Sequence, residues 1–404
     1  MRDLLFPRRM WRPRGELRGS YDVVIVGGGV QGLAMAYYLA KEHGITNVAV
    51  IERSYIGSGG SGRNTAIIRS NYRTPEAASF YQASLELYEG LAAELGFNVL
   101  FTQRGVLTLA HSERAMITMT ERASVNRHLG IDTRLVGLDE IAELCPQLDL
   151  SRRKTWPVIG AMWHPRGGII RHDAVVWAYA RAADRLGVEI HQDTAVTAMR
   201  RENGRVAEVE TSRGRIACGS VISAVAGWSS GVCALAGVRL PITTHILQAF
   251  VTEPLRRFLD PTVVSSQTRI YIHQTTRGEL VAGTEVEPYT TYNGSGTLNF
   301  LETASDAMLE LFPQLRHVNI LRTRTGLCDI TPDYSPIVGE TEVENFLVSA
   351  GWGTYGFKAT PIVANAMAEL LATGRTNPLV APFKLARFDD DLLVSETASA
   401  SMSH

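Results

Sequence analysis

Net charge is nearly absent from this sequence. Its 40 Lys and Arg residues almost balance its 41 Asp and Glu residues, which leaves a formal net charge of -1. Proteins that bind nucleic acids usually present an excess of positive charge to the phosphates. We therefore expect no nucleic-acid partner.

Cysteine is scarce and follows no recognisable pattern. No CxxC spacing occurs, and no cysteine pairs with a histidine at the spacing of metal ligands. The four cysteines are Cys145, Cys218, Cys233 and Cys328. We expect reduced thiols in a cytoplasmic protein and no metal site.

Long apolar runs and a secretory signal are also missing. No run reaches the roughly 20 residues that cross a bilayer, so we expect no membrane association. Residues 1–19 contain arginine and proline but lack the apolar core that directs secretion. The arginines there are Arg2, Arg8, Arg9, Arg12, Arg14 and Arg18. We predict an N-terminal arm over residues 1–19 that either docks on a partner subunit or is a solvated terminus.

The chain is long and has an ordinary globular composition. It has 404 residues, of which 45% are apolar and 20% are charged. Because this length exceeds that of a usual domain, we predict two domains with a cleft between them. Such clefts are typical of enzymes that act on small molecules.

The first clear elements form a βαβ unit. Residues 21–26 are apolar apart from Asp22 and rich in β-branched side chains, which is typical of a parallel strand buried on both faces. Residues 33–40 have apolar side chains at helical spacing, and Gly44 can end that helix. A second strand then covers residues 48–51 and ends at Glu52.

Glycines at a characteristic spacing connect the first strand to its helix. Gly27, Gly29 and Gly32 form a GxGxxG pattern, and Glu52 follows twenty residues after Gly32. Such glycines allow a tight turn, close approach of a pyrophosphate and close helix packing, while the acid accepts hydrogen bonds from a ribose. The pattern predicts a dinucleotide site, with a glycine-rich turn in another α/β protein as the alternative.

A later segment favours FAD over NAD as the dinucleotide. The strand at residues 220–222 ends in the small residues of segment 223–228, which includes Gly227. Small residues would let the backbone lie beside a cofactor, as in FAD-linked oxidases. An ordinary turn after a strand is the alternative.

A third glycine-rich segment precedes a C-terminal helix. Residues 351–358 lead into a helix that we predict to begin near Ala359. The N-terminus of that helix could stabilise negative charge at the N1 and O2 edge of a reduced flavin, and Lys358 would add a positive charge. The alternative is a solvated lysine at a glycine-rich helix entry.

Residues 61–72 follow the acidic end of the second strand and should lie near the ribityl chain and flavin ring. Within them, Arg69 could reach into the cleft and bind a substrate carboxylate through its planar guanidinium. An arginine on a surface turn is the alternative.

Residues 167–173 precede another predicted helix, for which Asp173 is the predicted N-cap. The residue pattern alone gives the neighbouring His172 no special role.

Together these residues resemble the β-subunit family of heterotetrameric sarcosine oxidases, within the D-amino-acid-oxidase-like FAD oxidoreductases. The resemblance covers nearly the whole chain. The segments that carry it are 20–29, 36–41, 43–50, 67–72, 103–107, 171–173, 351–354 and 356–358.

The resemblance implies two flavins: FAD held noncovalently in this chain, and FMN attached covalently to His172 at the interface with a large α subunit. Small γ and δ subunits complete the implied assembly. Arg69 and Lys358 are implied to bind the substrate carboxylate, and Thr354 joins them as a catalytic residue. The implied cofactor-binding residues are Gly27, Gly29, Gly32, Glu52, Arg63, Asn64, Val196, Gly227, Gly353, Gly356, Lys358 and, for FMN, His172.

Related monomeric oxidases attach FAD to a cysteine five residues before a Thr-Pro-Asp triplet. Here the triplet occupies residues 331–333, and Gly326 stands at the position of that cysteine. Cys328 is two residues away, which favours noncovalent FAD.

The implied reaction removes a hydride equivalent from the N-methyl group of sarcosine, an amino acid with a secondary amine. The resulting iminium would hydrolyse to glycine and formaldehyde, or pass its one-carbon unit to tetrahydrofolate on a partner subunit. Electrons would pass from FAD through FMN to oxygen and give hydrogen peroxide. The alternatives are a dehydrogenase for N-methylglutamate, proline or hydroxyproline, and a noncatalytic FAD-binding scaffold.

The fold class that follows is α/β, with a Rossmann-like FAD-binding domain and an interleaved α+β substrate domain whose sheet is mostly antiparallel. We assign residues 20–75, 155–240 and 325–385 to the FAD-binding domain, and 76–154 and 241–324 to the substrate domain. Residues 386–404 are predicted to form a C-terminal tail, disordered after Glu396.

Overall fold

The computed structural model describes residues 15–152 and 154–396. Most of the predicted arm, residues 1–14, and the predicted disordered end of the tail, residues 397–404, lie outside the described residues.

The described chain alternates strands and helices throughout. The strands are β1 (Ser20–Val26), β2 (Val48–Ile51), β3 (Ile67–Ile68), β4 (Thr102–Gln103), β5 (Val106–Ala110), β6 (Arg134–Val136), β7 (Gly160–His164), β8 (Gly168–Ile169), β9 (Glu189–His191), β10 (Val196–Glu202), β11 (Arg205–Thr211), β12 (Gly214–Ser223), β13 (Thr243–Pro254), β14 (Thr262–Ser265), β15 (Ile270–Gln274), β16 (Glu279–Gly283), β17 (Ile320–Ile330), β18 (Ile337–Glu340) and β19 (Phe346–Ala350). The α-helices are α1 (Val30–His43), α2 (Pro75–Leu95), α3 (Glu113–His128), α4 (Leu138–Leu144), α5 (His172–Arg185), α6 (Ser229–Leu235), α7 (Leu298–Leu311) and α8 (Thr360–Thr373).

The first sheet contains the predicted βαβ unit. Its order is β10-β11-β12-β1-β2-β9, and β19 pairs with both β12 and β18. The pairs β1–β2, β1–β12, β2–β9 and β12–β19 are parallel, so their carboxyl ends lie at one edge of the sheet. Ligands of open α/β sheets bind at this edge.

The second sheet has the order β17-β13-β16-β15-β14-β5-β7-β6. It is antiparallel except for the parallel pair β14–β5, which confirms the predicted mostly antiparallel sheet. A short third sheet, β3-β8-β4, connects the two large ones along the chain.

Apolar packing explains why these elements form two layers. Helices α1, α2, α5 and α8 share one core on the first sheet, and α7 packs on the second. In helix α1 every residue from Val30 to Ala40 except Gln31 is buried. The C-cap of the helix is Gly44, as predicted. Helix α2 begins at Pro75 behind Thr74, whose hydroxyl accepts a hydrogen bond from the N–H of Ala77 at 3.3 Å.

One predicted domain boundary disagrees with the observed strand pairing. We assigned residues 155–240 to the FAD-binding domain, but β7 pairs with β5 and β6 in the second sheet. All five residues of β7 are buried, so its sequence has no alternation that would reveal which sheet it joins. The short strand β6, between α3 and α4, belongs to the same sheet.

The segment before the chain's end is packed, although we predicted a tail from residue 386. The side chains of Arg387 and Asp333 are fully buried and joined by two hydrogen bonds of 2.8 and 2.9 Å. Further along, the carboxylate of Glu396 accepts N–H groups of Arg73 and Thr74 at 3.0 Å each. Residues 386–396 therefore belong to the folded body.

Candidate functional site

A cavity of about 750 Å³ lies at the carboxyl ends of β1, β2 and β12, where the second sheet faces them. Volumes of this size are typical of cofactor and small-molecule sites. The predicted site residues that line it are Gly27, Gly29, Glu52, Arg63, Asn64, Arg69, Val196, Gly353, Thr354, Gly356 and Lys358. The fold therefore brings segments from five distant parts of the sequence to one place.

Three predicted residues do not line this cavity. Gly32 lies beneath it, where an added Cβ would be 2.1 Å from the carbonyl oxygen of Gly27. Gly227 packs on β17, where a Cβ would be 2.5 Å from that of Leu327. His172 is the first residue of α5 and lies apart from the cavity lining.

The glycine turn after β1 packs closely against the end of β12 and lines the cavity. Gly27 has a φ of +112°, and a Cβ there would lie 2.4 Å from the carbonyl oxygen of Ala224. Gly29 precedes α1 without a side-chain cap, and the N–H of Val30 donates to the hydroxyl of Ser61 at 2.9 Å. Gly29, Val30 and Gln31 line the cavity, so the amino end of α1, the end of a helix that suits an anion, faces it.

The carboxylate of Glu52 is held in place by backbone donors. The N–H of Gly28 donates to one oxygen at 2.9 Å, and the N–H of Ser54 donates to the other at 2.8 Å. The Ser58 hydroxyl donates at 3.3 Å. A carboxylate has about four lone-pair positions, so Glu52 can accept a further hydroxyl donor.

Two cavity residues beside Glu52 were missed by the sequence analysis. The guanidinium of Arg53 lies 4.3 Å from the ring of Trp228, and that ring lies 5.0 Å from the ring of Tyr292. Arg53 and Trp228 both line the cavity. No local pattern could reveal a stack built from three distant segments.

Segment 351–358 is anchored by a buried acid that we also missed. Asp329 accepts the N–H of Gly351 at 2.6 Å through its carboxylate and the N–H of Gly353 at 2.9 Å through its backbone carbonyl. Burial raises the pKa of Asp329 to about 6 against the lowering effect of these N–H groups. A single carboxylate in the otherwise apolar run 327–330 was the available signal.

Two predicted cations, Arg69 and Lys358, are buried in the same cavity. Their residues are only 7% and 9% exposed. Lys358 donates to the carbonyl of Thr354 at 3.3 Å, and its pKa is held well below the usual range by burial and by the charge of Arg69. Arg69 donates to the side-chain oxygen of Asn71 at 2.9 Å and lies 4.5 Å from the ring of Tyr72.

A third buried cation, Arg122, extends from α3 into this cavity. It is 8% exposed, and its Nε donates to the backbone carbonyl of Asn71 at 2.6 Å. Burial, and then the charge of Arg69, lowers the pKa of Arg122 to about 9. Most of α3 is exposed and polar, so no local pattern indicates that this arginine points inward.

His172 has a different electrostatic setting. Burial, and then the charge of Arg324, lowers the pKa of His172 to about 4, so the imidazole is neutral near pH 7. The Nε of Arg324 is buried without a hydrogen-bond partner in the described chain. The predicted N-cap of α5 is wrong: Arg171 occupies that position, and Asp173 pairs with its guanidinium at 2.6 Å instead.

The four cysteines are free. Cys328 lines the cavity, and burial raises its pKa to about 12, so it is a neutral thiol. Within residues 15–152 and 154–396, no helix has the length and apolar character needed to cross a membrane, and no cluster of three acidic, histidine or cysteine side chains could hold a metal ion.

Comparison with known proteins shows similarity to oxidoreductases in both sequence and structure. Residues 22–370 match the family described as FAD dependent oxidoreductase. The chain is 45% identical over 391 residues to a sarcosine oxidase subunit beta of Rhizobium meliloti, covering 96% of this chain and 94% of that protein. It is 42% identical over 406 residues to a protein of the same name from Arthrobacter sp, with both chains fully covered. The crystal structure of L-proline dehydrogenase from P. horikoshii has a TM-score of 0.87 at 30% identity, covering 94% of this chain and 100% of that chain.

Proposed function

The chain belongs to the FAD dependent oxidoreductase family, and on that premise we propose that it is the β subunit of a sarcosine oxidase. It would oxidise the N-methyl group of sarcosine and yield glycine with formaldehyde, or with methylene-tetrahydrofolate on a partner subunit. The observation that carries this proposal is the burial of Arg69 and Lys358 in the cavity that the glycine turn also lines. Buried cations of this kind suit the carboxylate of a small amino acid.

The described residues fit noncovalent FAD. Gly27 and Gly29 line the cavity at the amino end of α1, where a pyrophosphate would approach, and Glu52 has acceptor capacity for a ribose hydroxyl. Bound FAD would supply the acceptor for the hydride equivalent. The neutral thiol of Cys328 supports a noncovalent complex, because a thiolate is the reactive form of cysteine.

The protein's own contribution is orientation, charge and a dry pocket. Arg69 and Lys358 would bind the substrate carboxylate, and Thr354, whose carbonyl accepts from Lys358, would help to position it. Asp329 would fix segment 351–358 so that Gly353 and Gly356 contact the cofactor. A largely apolar surrounding favours the neutral, deprotonated amine, so no further base is required.

We also propose that His172 carries covalent FMN at an interface with the large α subunit. The imidazole is neutral, which leaves a ring nitrogen able to form a bond. Arg324 and Arg322 both act on the His172 imidazole electrostatically, and such a pair of cations suits an anionic phosphate. Bound FMN would supply the path for electrons to oxygen, which would give hydrogen peroxide. Small γ and δ subunits would complete the assembly. Its location would be cytoplasmic, where free thiols persist.

A second candidate substrate is proline. The likeness to L-proline dehydrogenase favours it, since proline is also a secondary amino acid with one carboxylate.

The experiment uses the chain coexpressed with its large partner subunit and purified as the complex. Sarcosine, proline, hydroxyproline and N-methylglutamate are added anaerobically, and the flavin absorption is followed. We expect fastest bleaching with sarcosine; fastest bleaching with proline would select the second candidate, and no bleaching with any of them would refute both.

The His172 proposal is tested by mass spectrometry of peptides from the same complex. A peptide spanning His172 should carry the added mass of FMN, and His172→Ser should lose that mass while FAD remains. His128→Ser, at an exposed histidine, is the control. An unmodified His172 peptide from a complex that holds both flavins would contradict the assignment.

A further inference from the structure

We propose that Arg122 is a further substrate-binding residue, which holds the substrate carboxylate together with Arg69. This inference rests on the proposed function and names a contact that the sequence analysis did not assign. The pair would select substrates by the presence of a carboxylate.

The first support is the shared position of the two guanidiniums. Arg69 reaches the backbone oxygen of Asn71 at 3.3 Å, and the Nε of Arg122 reaches the same oxygen at 2.6 Å. Both arginines line the cavity, although one follows β3 and the other lies on α3. The fold has therefore brought two cations that line the cavity to one buried backbone oxygen.

The second support is the charge that remains unpaired at Arg122. No Asp or Glu within the described ranges forms an ion pair with it, and both nitrogens for which a hydrogen bond is seen, Nε and Nη2, donate to Asn71. Glu396 is close enough to favour the charged form of Arg122, but its Oε2 is occupied by the N–H groups of Arg73 and Thr74. Burying a guanidinium without a carboxylate partner is costly, so an anion from the cavity would be a natural partner.

The third support is a comparison with the backbone carbonyl of the residue that follows Asn71. The backbone carbonyl of Tyr72 is held by a neutral amide, the Nδ2 of Asn126, at 2.8 Å. Asn126 lies one helical turn after Arg122 on α3 and is fully buried. Since an amide suffices to hold a carbonyl here, holding Asn71 does not by itself explain a buried positive charge at residue 122.

Arg122 would join the two cations already proposed for the carboxylate. Arg69 and Arg122 would bind it from the side of Asn71, and Lys358, which donates to Thr354, from the side of the glycine segment. A ligand that keeps the shape of the substrate but lacks the charge should gain nothing from Arg122.

The test compares two ligands on the flavin-loaded complex. Methoxyacetate has the shape of sarcosine with an ether oxygen in place of the amine, and methoxyacetamide is its uncharged counterpart. Dissociation constants are measured from the change in flavin absorption for wild type, Arg122→Gln, Arg122→Lys and Arg127→Gln. Arg127 is an exposed arginine on the same helix and serves as the matched control.

We expect Arg122→Gln to weaken methoxyacetate about ten- to a hundredfold, as for loss of a charged hydrogen bond, and to leave methoxyacetamide unchanged. Arg122→Lys should recover part of the loss, and Arg127→Gln should match wild type. Unchanged methoxyacetate binding in Arg122→Gln would overturn the proposal, as would an equal loss for both ligands, since that is the result of merely displacing Asn71.

Failure of the underlying function gives a different result. If wild type neither binds methoxyacetate nor is bleached by a secondary amino acid, both proposals fall. If wild type does both and Arg122→Gln behaves like it, only the role of Arg122 is lost.

Discussion

The carboxylate of Glu52 accepts the backbone N–H of Gly28 at 2.9 Å, which ties the acidic end of β2 to the glycine turn after β1. An added Cβ at Gly28 would lie 2.7 Å from the Cβ of Glu52, so the two segments are in direct contact. The glycine turn therefore orients the carboxylate through the protein's own contacts.

Loss of this acid should weaken FAD binding. Because Glu52→Ala removes an ionised hydrogen-bond acceptor, we expect the FAD dissociation constant to rise about ten- to a hundredfold. Retention of FAD during gel filtration and fluorescence titration would measure it. Glu42→Ala, an exposed acid on α1, should bind FAD like wild type, and equal retention in both variants would contradict the ribose role.

Binding of a carboxylate should weaken as pH rises through the depressed pKa of Lys358. Burial and the charge of Arg69 lower that pKa, so the ammonium loses its proton at a lower pH than a solvated lysine. We expect a loss of about tenfold in methoxyacetate affinity across the transition. Arg69→Gln should move the transition to higher pH.

Titrations of flavin absorption with methoxyacetate at a series of pH values would measure this effect, since methoxyacetate has no amine of its own to titrate. Lys358→Met should bind weakly at every pH. A transition that persists in Lys358→Met would assign it to another group.

The buried acid Asp329 should make the protein less stable as pH rises. Its folded pKa of about 6 lies above the ordinary value of 3.8, so the folded state holds a proton that the unfolded chain releases. Its contribution is fully present below the unfolded value and is lost as pH rises through about 6. The total loss is on the order of 3 kcal/mol.

The difference in unfolding free energy between wild type and Asp329→Asn, measured from pH 4 to pH 7, should follow that course. Asp306→Asn, at an exposed acid on α7, should leave the pH dependence unchanged. If the unfolding free energies of wild type and Asp329→Asn changed with pH in the same way, Asp329 would have an ordinary pKa in the folded state.

The ion pair between Arg387 and Asp333 should be essential to the packed C-terminal segment. Arg387→Met leaves a fully buried carboxylate without its partner, and we expect a loss of roughly 3–5 kcal/mol in unfolding free energy. Denaturant unfolding would measure it. Lys384→Met breaks the exposed pair between Lys384 and Asp390 and should cost less than about 1 kcal/mol.

The double variant Arg387→Met with Asp333→Asn removes both charges. It should recover part of the stability that Arg387→Met loses, because no uncompensated charge remains buried. Equal losses in the single and double variants would mean that the packing of the arginine, rather than its charge, stabilises the segment.

The parts of the fold that were predictable are those encoded by neighbouring residues. The apolar run before Gly27 and the spacing to Glu52 identified β1, α1 and β2, since each follows local steric and periodic rules. The helix after Lys358 was likewise found near Ala359, and α8 begins at Thr360.

The parts that could not be predicted depend on contacts between segments far apart in the sequence. The parallel pair β14–β5 joins segments more than 150 residues apart, and no local pattern specifies it. Arg122 lies on a helix whose other residues are mostly exposed, so only the packing of α3 against the Asn71 segment directs it inward. Arg387 occupies a short 3-10 turn whose burial depends on Asp333.

Strand β19 pairs with β12, and α8 packs on α1, so late parts of the chain complete the layer that its first strand begins. A ribosome must therefore release residues beyond 373 before the glycine turn gains its last wall. We expect a nascent chain to remain unloaded with flavin until α8 has left the ribosome, which places capture of the cofactor after the synthesis of residues 20–373.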